Sequence, residues 1–228
     1  MRRWLRALLC IGLALSAVVR AQTTAAADAP IRVGLLAELA PFHVWPAGGR
    51  PGGYDVDLLD RLARDTGLRF ELRRYGQWDQ LAEALAGGEV QLVTATAYTA
   101  ERARWLAFTR PYMVLPQGFV GRRGITSVAS APDLAGRRLA TARGFVTADI
   151  AAERFAHAPR LAYDSEGAAL DAVLRGEADF VFGSAPGLRV LIAQRPDSDL
   201  AVLRTFGFPQ GQHRLAMRKN DQATIERI

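Results

Sequence analysis

The chain has 228 residues, and its 29 Lys and Arg residues outnumber its 23 Asp and Glu residues to give a formal net charge of +6. Four of these basic residues lie within the first 21 residues, which contain no acid, so the rest of the chain is nearly neutral. No basic stripe interleaved with aromatic residues is present, and no nucleic-acid partner is predicted. The single cysteine, Cys10, lies in the same leading segment, which excludes disulfides, thiolate metal sites and cysteine nucleophiles from the remainder.

Residues 1–21 have the pattern of a secretory signal peptide. Three arginines precede an apolar stretch over 7–19, and small residues favour cleavage near Ala21. Because the apolar stretch is shorter than a membrane-spanning helix requires, we predict export to the periplasm, with no membrane span in the mature chain. An uncleaved anchor is the alternative. Residues 22–30, rich in Ala and Thr, are predicted to form a disordered leader.

The next part of the chain alternates strands and helices. Strands are predicted over 31–36, 69–74 and 91–95, and helices over 56–66 and 79–86. This order predicts a parallel sheet flanked by helices. A helix is expected to begin near Thr99, whose hydroxyl can cap it, and a strand over 114–121 then leads out of this unit.

The pattern then restarts, which predicts a second unit of similar build. Strands are predicted over 138–141, 160–163, 179–182, 200–203 and 213–217, and helices over 147–156, 166–174 and 185–195. In both units a helix, a glycine stop, a glutamate and a strand follow one another, at 84–93 and 172–182. This echo favours two lobes, although the general order of α/β loops explains it equally well.

Arg102 is the first candidate binding residue. An arginine in the first turn of a helix opposes the helix dipole, whereas an anion bound there is stabilised by the guanidinium and by free backbone N–H groups. We therefore interpret Arg102 as a candidate anion-binding residue. A surface arginine paired with a neighbouring carboxylate is the alternative.

An ordered set of landmarks carries a resemblance to a known family. They are Ala-Pro-Phe at 40–42, Gly-Tyr-Asp at 53–55, Trp78, Thr-Ala-Glu-Arg at 99–102, Phe-Thr-Arg-Pro-Tyr at 108–112, Asp-Leu-Ala-Gly at 133–136 and Gly-Glu-Ala-Asp at 176–179. In this order they resemble the bacterial family 3 periplasmic solute-binding proteins, which have the Venus-flytrap fold. The Phe-Thr-Arg-Pro-Tyr ending and the short loop before Thr99 look closer to the flytrap domains of virulence-type sensor kinases.

The resemblance implies a two-lobed α/β fold of the type 2 periplasmic-binding-protein class, with two crossover segments. Lobe 1 would comprise residues 31–117 and 210–228, and lobe 2 residues 118–209. A ligand would sit in the cleft between the lobes, and its binding would close the hinge. The chain stops inside what resembles the last helix of the family, which is consistent with a fragment of a longer protein.

The resemblance also assigns a carboxylate-binding side to lobe 1. Arg102 matches the arginine that binds the ligand's carboxylate, and Thr94 and Thr96 lie in the loop that offers hydroxyl and backbone groups to it. Local capping of a turn is the alternative for the two threonines. Ala95 and Ala97 depart from the hydroxyl or glycine residues of many transport-type relatives.

Other cleft positions follow from the same resemblance. Trp78 and Phe42 would form apolar walls against the ligand, with ordinary core packing as the alternative for both. Thr147 lies at a helix N-terminus of lobe 2, a natural place for an anion. Phe145, just before it, stands where relatives often have a small polar residue.

Ser184 is the main departure from the family. Amino-acid binders commonly place an aspartate five residues after the acid at the strand start, here Asp179, to hold the ligand's ammonium group. Because Ser184 lacks that charge, we predict a small carboxylate-bearing ligand, and both an amino acid and an amine-free organic acid stay open.

No cofactor and no metal is predicted. Asp55, Asp57 and Asp60 cluster near a helix start, where the helix dipole accounts for them. The three histidines have no metal-ligand spacing, and no G-x-S-x-G, P-loop or H-E-x-x-H motif occurs.

These features predict a periplasmic solute-binding domain that is not an enzyme. Its partner would be the inner-membrane permease of an ABC transporter, or a sensor-kinase module for which the domain provides ligand-sensing input. A lyase resembling cyclohexadienyl dehydratase on the same fold is a second class, with Glu38 and Glu166 as its candidate acids. A flytrap domain that has lost ligand binding and serves as a structural arm is the third.

Overall fold

The computed structural model describes residues 29–124, 134, 136–226 and 228. The predicted signal peptide and the leader up to residue 28 lie outside the described residues, as do residues 133 and 135 of the 133–136 landmark. The described chain forms two β-sheets with helices packed on them, which is the predicted α/β class.

Lobe 1 is built on a six-stranded sheet. Its strands are β1 (Ile31–Leu36), β2 (Phe70–Tyr75), β3 (Leu92–Thr96), β4 (Leu106–Phe108), β5 (Met113–Val114) and β11 (Gln212–Arg218), in the order β2-β1-β3-β11-β4, with β5 also on β11. β1 is parallel to β2 and β3, whereas β11 is antiparallel to its neighbours. Its helices are α1 (Tyr54–Thr66), α2 (Trp78–Gly87) and α6 (Gln222–Ile225).

Lobe 2 is built on a five-stranded sheet. Its strands are β6 (Gln117–Arg122), β7 (Leu139–Ala142), β8 (Arg160–Tyr163), β9 (Phe180–Ser184) and β10 (Leu200–Phe206), in the order β10-β6-β9-β7-β8. β7 is parallel to β8 and β9, and β6 is antiparallel to β9 and β10. Its helices are α3 (Val146–Arg154), α4 (Glu166–Leu174) and α5 (Ala185–Ala193).

Successive side chains of a strand point to opposite faces of its sheet. Helices cover both faces of each sheet, so both faces carry core residues. On β3, Leu92 packs with the α1 side of the core and Val93 with the α2 side. On β6, Phe119 packs with the α3 side and Val120 with the α4 and α5 side. The central strands β3, β7 and β9 therefore read as runs of apolar and small residues, whereas the edge strands β2 and β8 carry charged residues.

The strand predicted over 114–121 is interrupted in the structure. β5 pairs with β11 in lobe 1, and β6 pairs with β9 and β10 in lobe 2, so the chain changes sheets between Val114 and Gln117. Pro116 lies at the break, where it has no N–H to donate to a ladder. The chain returns to lobe 1 between β10 and β11. The two crossover segments touch, since the Leu115 N–H donates to the Gly211 carbonyl at 2.6 Å.

The helix predicted to begin near Thr99 is a single 3-10 turn, Arg102–Arg104. Thr99 does cap it, because its hydroxyl accepts the Arg102 N–H at 3.1 Å. The turn ends early because β4 begins at Leu106, where the chain must pair with β11. One turn carries little dipole, so the expectation that a helix dipole acts on Arg102 is wrong.

We expect Gly53→Ala to destabilise lobe 1 by about 2 kcal/mol or more. Gly53 precedes α1 with φ 102°, where a side chain is strained, and a Cβ there would collide with the Phe42 carbonyl and lie 2.8 Å from the Pro41 oxygen. Urea denaturation measures the change in the free energy of unfolding.

The neighbouring Gly52 is the matched control. A Cβ at Gly52 meets no atom within 4 Å, so Gly52→Ala is expected to change stability by less than about 1 kcal/mol. Equal losses in the two variants would contradict the close approach of residues 41–42 to the start of α1.

Candidate ligand-binding site

A cleft between the two lobes collects most of the predicted binding residues. It holds a cavity of about 70 Å³ where β1, β3, β7 and β9 end. The predicted residues that line it are Phe42, Trp78, Thr94 and Arg102 from lobe 1, and Phe145, Thr147 and Ser184 from lobe 2. Thr96 is not part of the lining. Its buried hydroxyl donates to the Thr94 carbonyl at 3.0 Å, which is local capping of the turn.

Arg102 spans the cleft from lobe 1 to lobe 2. Its Nη1 donates to the Ala97 carbonyl at 3.1 Å within lobe 1. Its Nη2 donates to the Gly144 carbonyl, in the β7–α3 loop of lobe 2, at 2.7 Å. The guanidinium carbon lies 4.0 Å from the ring centroid of Trp78, a cation–π contact at the start of α2. Both lobes thus fix the position of this side chain.

The Arg102 guanidinium is a cation without a counter-ion in the cleft. Removal from water lowers its pKa to about 10, and the charges of Asp149 and Glu101 oppose this change. The side chain therefore stays charged at neutral pH. Among the described residues no carboxylate makes an ion pair with it, so the alternative of a paired surface arginine is wrong. A desolvated guanidinium with free N–H groups is suited to a carboxylate.

The loop between β3 and Arg102 has a strained start. Ala95 has φ 51°, a left-handed conformation that non-glycine residues seldom adopt. Its N–H donates to the Tyr112 hydroxyl at 2.8 Å, and this bond helps to hold the loop. Strain of this kind persists where the surrounding structure over-determines it, and the same loop carries the Ala97 carbonyl that accepts from Arg102.

A buried polar network around His43 holds Thr94, at the start of the same loop. The Leu36 N–H donates to His43 Nδ1 at 3.0 Å, so His43 carries its proton on Nε2 when neutral. Nε2 lies 3.0 Å from Asp55 Oδ2 and 2.8 Å from Thr94 Oγ1. Tyr112 donates to Asp55 Oδ1 at 2.9 Å. Burial, and then the charge of Asp55, raise the pKa of Tyr112, which keeps this donor protonated.

This network corrects the interpretation of Asp55. The helix dipole alone does not account for it, because its buried carboxylate links His43 and Tyr112. The network also lacks the geometry of a catalytic triad, which needs nucleophile and carboxylate on different ring nitrogens of the histidine. Here Thr94 and Asp55 share Nε2. Within the described ranges, no three His, Cys, Asp or Glu residues are grouped as metal ligands.

Unpartnered polar atoms are concentrated in the cleft. In the described part of the chain, seven buried side-chain N or O atoms have no hydrogen-bond partner. Five of them belong to cleft-lining residues: Gln117 Oε1, Thr147 Oγ1, Ser184 Oγ, Gln210 Oε1 and His213 Nδ1. Burial lowers the pKa of His213 to about 4, so its ring is neutral. Buried polar atoms are normally hydrogen-bonded, and such a cluster indicates a place for a polar ligand.

Glu166 adds a buried acid to the lobe 2 side. It follows Ser165, whose hydroxyl caps α4, and its Oε1 accepts the Ser184 N–H at 2.7 Å. Burial raises the pKa of Glu166 to about 7, against the opposing effect of that hydrogen bond. From the sequence, Glu166 is only an acid of the lyase alternative, because an acid after a capping serine is common in a first helical turn. The other such acid, Glu38, is exposed.

The cleft geometry and the fold agree with comparisons to known proteins. The family model for the bacterial extracellular solute-binding proteins, family 3, matches residues 31–228 of the chain. The chain belongs to this family. A probable histidine-binding protein of Neisseria gonorrhoeae is 26% identical over 246 residues, which covers 100% of this chain and 88% of that protein.

Two further comparisons concern sensing and fold. The virulence sensor protein BvgS of Bordetella pertussis is 29% identical over 156 residues, which covers 68% of this chain but only 13% of BvgS. The structure of holo ArgBP from T. maritima superposes with a TM-score of 0.76 at 27% identity and covers 86% of each chain. The chain therefore has the Venus-flytrap fold and is a ligand-binding domain for transport or sensing. None of the helices in the described ranges is long and apolar enough to cross a membrane.

We expect Glu166→Gln to stabilise the ligand-free protein more at pH 8 than at pH 5. The ordinary pKa of this carboxyl is 4.5, and burial raises the pKa to about 7 in the folded protein. Between these values the folded state binds the extra proton, so Glu166 costs stability progressively as pH rises from about 4.5 to 7 and fully above 7. A shift of this size corresponds to about 3 kcal/mol at most.

Urea denaturation of both proteins at pH 5 and pH 8 measures this difference. Glu38→Gln is the control, because Glu38 is an exposed glutamate and its replacement removes one carboxyl without removing a buried one. If Glu166→Gln leaves the pH dependence unchanged, the carboxyl of Glu166 is not desolvated in solution.

Proposed function

We propose that the cleft binds a small ligand through its carboxylate, and that Arg102 is the principal contact. The observation that carries the proposal is a desolvated guanidinium that faces a cavity and has no ion-pair partner among the described residues. A ligand carboxylate would supply the missing counter-ion through charge-assisted hydrogen bonds. Thr94, fixed by His43, would add a hydroxyl on the same side.

The apolar part of the ligand would contact the walls of the cleft. Trp78, Phe42 and Leu39 line it from lobe 1, and Phe145 and Val146 line it from lobe 2. A few polar groups within an apolar lining are typical of small-molecule sites. The cavity of about 70 Å³ is smaller than the roughly 300–1,000 Å³ of typical ligand pockets, so a ligand of amino-acid size would require the lobes to move apart.

Binding would act on the relative position of the lobes. Arg102 already joins them through Gly144, and Thr147 and Ser184 hold unpartnered hydroxyls on the lobe 2 side. A ligand that contacts both lobes favours the closed arrangement by its difference in affinity for the two states. The crossover segments around Leu115 and Gly211 would act as the hinge.

The place and partners of the domain complete the proposal. The leading segment would direct export to the periplasm, with cleavage near Ala21. There the domain would deliver its ligand to an inner-membrane permease or pass the signal of a bound ligand to a sensor-kinase module. It would carry out no reaction itself.

We expect Arg102→Ala to weaken binding of every carboxylate ligand by at least about 30-fold, because it leaves a desolvated carboxylate unpaired. A thermal-shift screen of L-amino acids and organic acids identifies the ligands, and calorimetry gives their dissociation constants. Arg104→Ala is the matched control, since Arg104 lies in the same 3-10 turn and is exposed. Ligands that bind both variants with unchanged affinity would place the site elsewhere.

A lyase is the second candidate, because Glu166 is a buried cleft acid whose pKa of about 7 suits a general acid. Incubation of the protein with prephenate or arogenate tests it. An aromatic product that forms with the unchanged protein and not with Glu166→Gln would favour the lyase over the binding domain. We expect no product.

A further inference from the structure

We infer that Glu166 is the residue that selects ligands carrying an amino group, in place of the acid that the family resemblance puts at position 184. The inference rests on the proposed function, because it assumes that the ligand occupies the cleft with its carboxylate on Arg102. Glu166 lines this cleft from lobe 2, and no ion pair joins it to Arg102. The cleft therefore has a separate cationic and a separate anionic group.

The backbone of lobe 2 fixes the position of the Glu166 carboxylate. A Cβ on Gly183 would collide with Oε1, and a Cβ on Gly187 would lie 3.0 Å from Oε2. The Ser184 N–H holds Oε1 at 2.7 Å. The carboxylate thus lies against the backbone of residue 184, from a side chain eighteen residues earlier in the sequence.

Other acceptors in the lining of the cleft also have no hydrogen-bond partner. Gln117 and Ser184 are directly opposite each other on β6 and β9, so their side chains share one face of the sheet. The Gln117 amide nitrogen donates to the Leu115 carbonyl at 2.7 Å, which leaves its Oε1 as an unpartnered acceptor. Ser184 Oγ is a second, and Glu166 Oε2 has no hydrogen-bond partner among the described residues. The cleft lining therefore offers further acceptors to a ligand ammonium besides the Glu166 carboxylate, which itself lies against Gly183.

No protein cation neutralises Glu166 in the described ranges. Arg195 lines the adjoining cavity, which Glu166 also borders, but it is bound to Asp171 at 2.8 Å and to the Leu191 carbonyl at 2.9 Å. The other ionisable groups facing that cavity are Glu38 and His43. An ionised buried carboxylate without a counter-ion is unfavourable, and a ligand ammonium would remove that cost.

Matched ligand pairs test the inference. Calorimetry compares L-leucine with 4-methylpentanoate, and L-histidine with 3-(imidazolyl)propionate, on the unchanged protein, on Glu166→Gln and on the control Glu38→Gln. We expect the unchanged protein and the control to prefer at least one amino acid over its amine-free partner by about 10-fold or more. In Glu166→Gln this ratio is expected to fall to about one, with the affinity for the amine-free acid retained.

The pH dependence gives a second readout that a merely structural role would not change. An ammonium binds the ionised form of Glu166, so the affinity for the amino acid is expected to fall about tenfold per pH unit below pH 6 in the unchanged protein. Glu166→Gln is expected to lack this fall, while Glu38→Gln retains it.

Other outcomes separate this inference from the proposed function. An unchanged ratio in Glu166→Gln, or equal affinity of the unchanged protein for both members of each pair, overturns the role of Glu166. If these ligands still weaken on Arg102→Ala, the proposed function stands. If no carboxylate binds, or binding is indifferent to Arg102→Ala, both are overturned.

Discussion

The arrangement of the cleft depends on the desolvated guanidinium of Arg102. It is held by a carbonyl from each lobe and by the face of Trp78, with no carboxylate of the described chain paired to it. A charge in this position costs free energy unless an anion approaches. The protein meets this cost with rigid support: a strained alanine at 95, a buried network around His43, and a helix that begins at Trp78. Such support fixes the direction in which the free N–H groups point.

In the proposed function, the two sheets would supply the rigidity and the two crossover segments would act as the hinge. Each sheet is buried on both faces, so a lobe moves as a unit. The two crossover segments lie against each other at Gly211. A Cβ at this position would collide with the Gln117 side chain and the Leu115 carbonyl. Of the seven buried side-chain polar atoms without partners among the described residues, five belong to the lining of the cleft. A ligand that bridges the lobes, as proposed, would recover the cost of burying them.

The sequence predicts the elements of this fold well because apolar runs, glycine stops and capping residues are local signals. Strand β8 and helix α4 begin and end at the predicted residues, and most other ends agree within one or two residues. The errors occur where a distant strand decides the outcome. β11 limits the turn after Thr99, and the change of sheet at Pro116 divides a predicted single strand.

The site is less predictable than the fold. Arg102, Trp78 and Thr94 are identified through the family resemblance, and the structure brings them to one cleft. Sequence reasoning does not identify three residues as binding residues: His43, Gln117 and Glu166. Their contacts are with Thr94, Ser184 and Ser184, which lie 51, 67 and 18 residues away along the chain. Ser184 illustrates the difficulty: the residue lacks a charge, yet its backbone N–H holds the carboxylate of Glu166.

A crystal structure of the protein with the tightest-binding L-amino acid of the screen tests the central claim most directly. The account predicts that the ligand occupies the cleft, with its carboxylate within about 3.2 Å of the Arg102 guanidinium nitrogens and its apolar part against Trp78. A ligand bound in the cleft with its carboxylate away from Arg102, or bound outside the cleft, would contradict it.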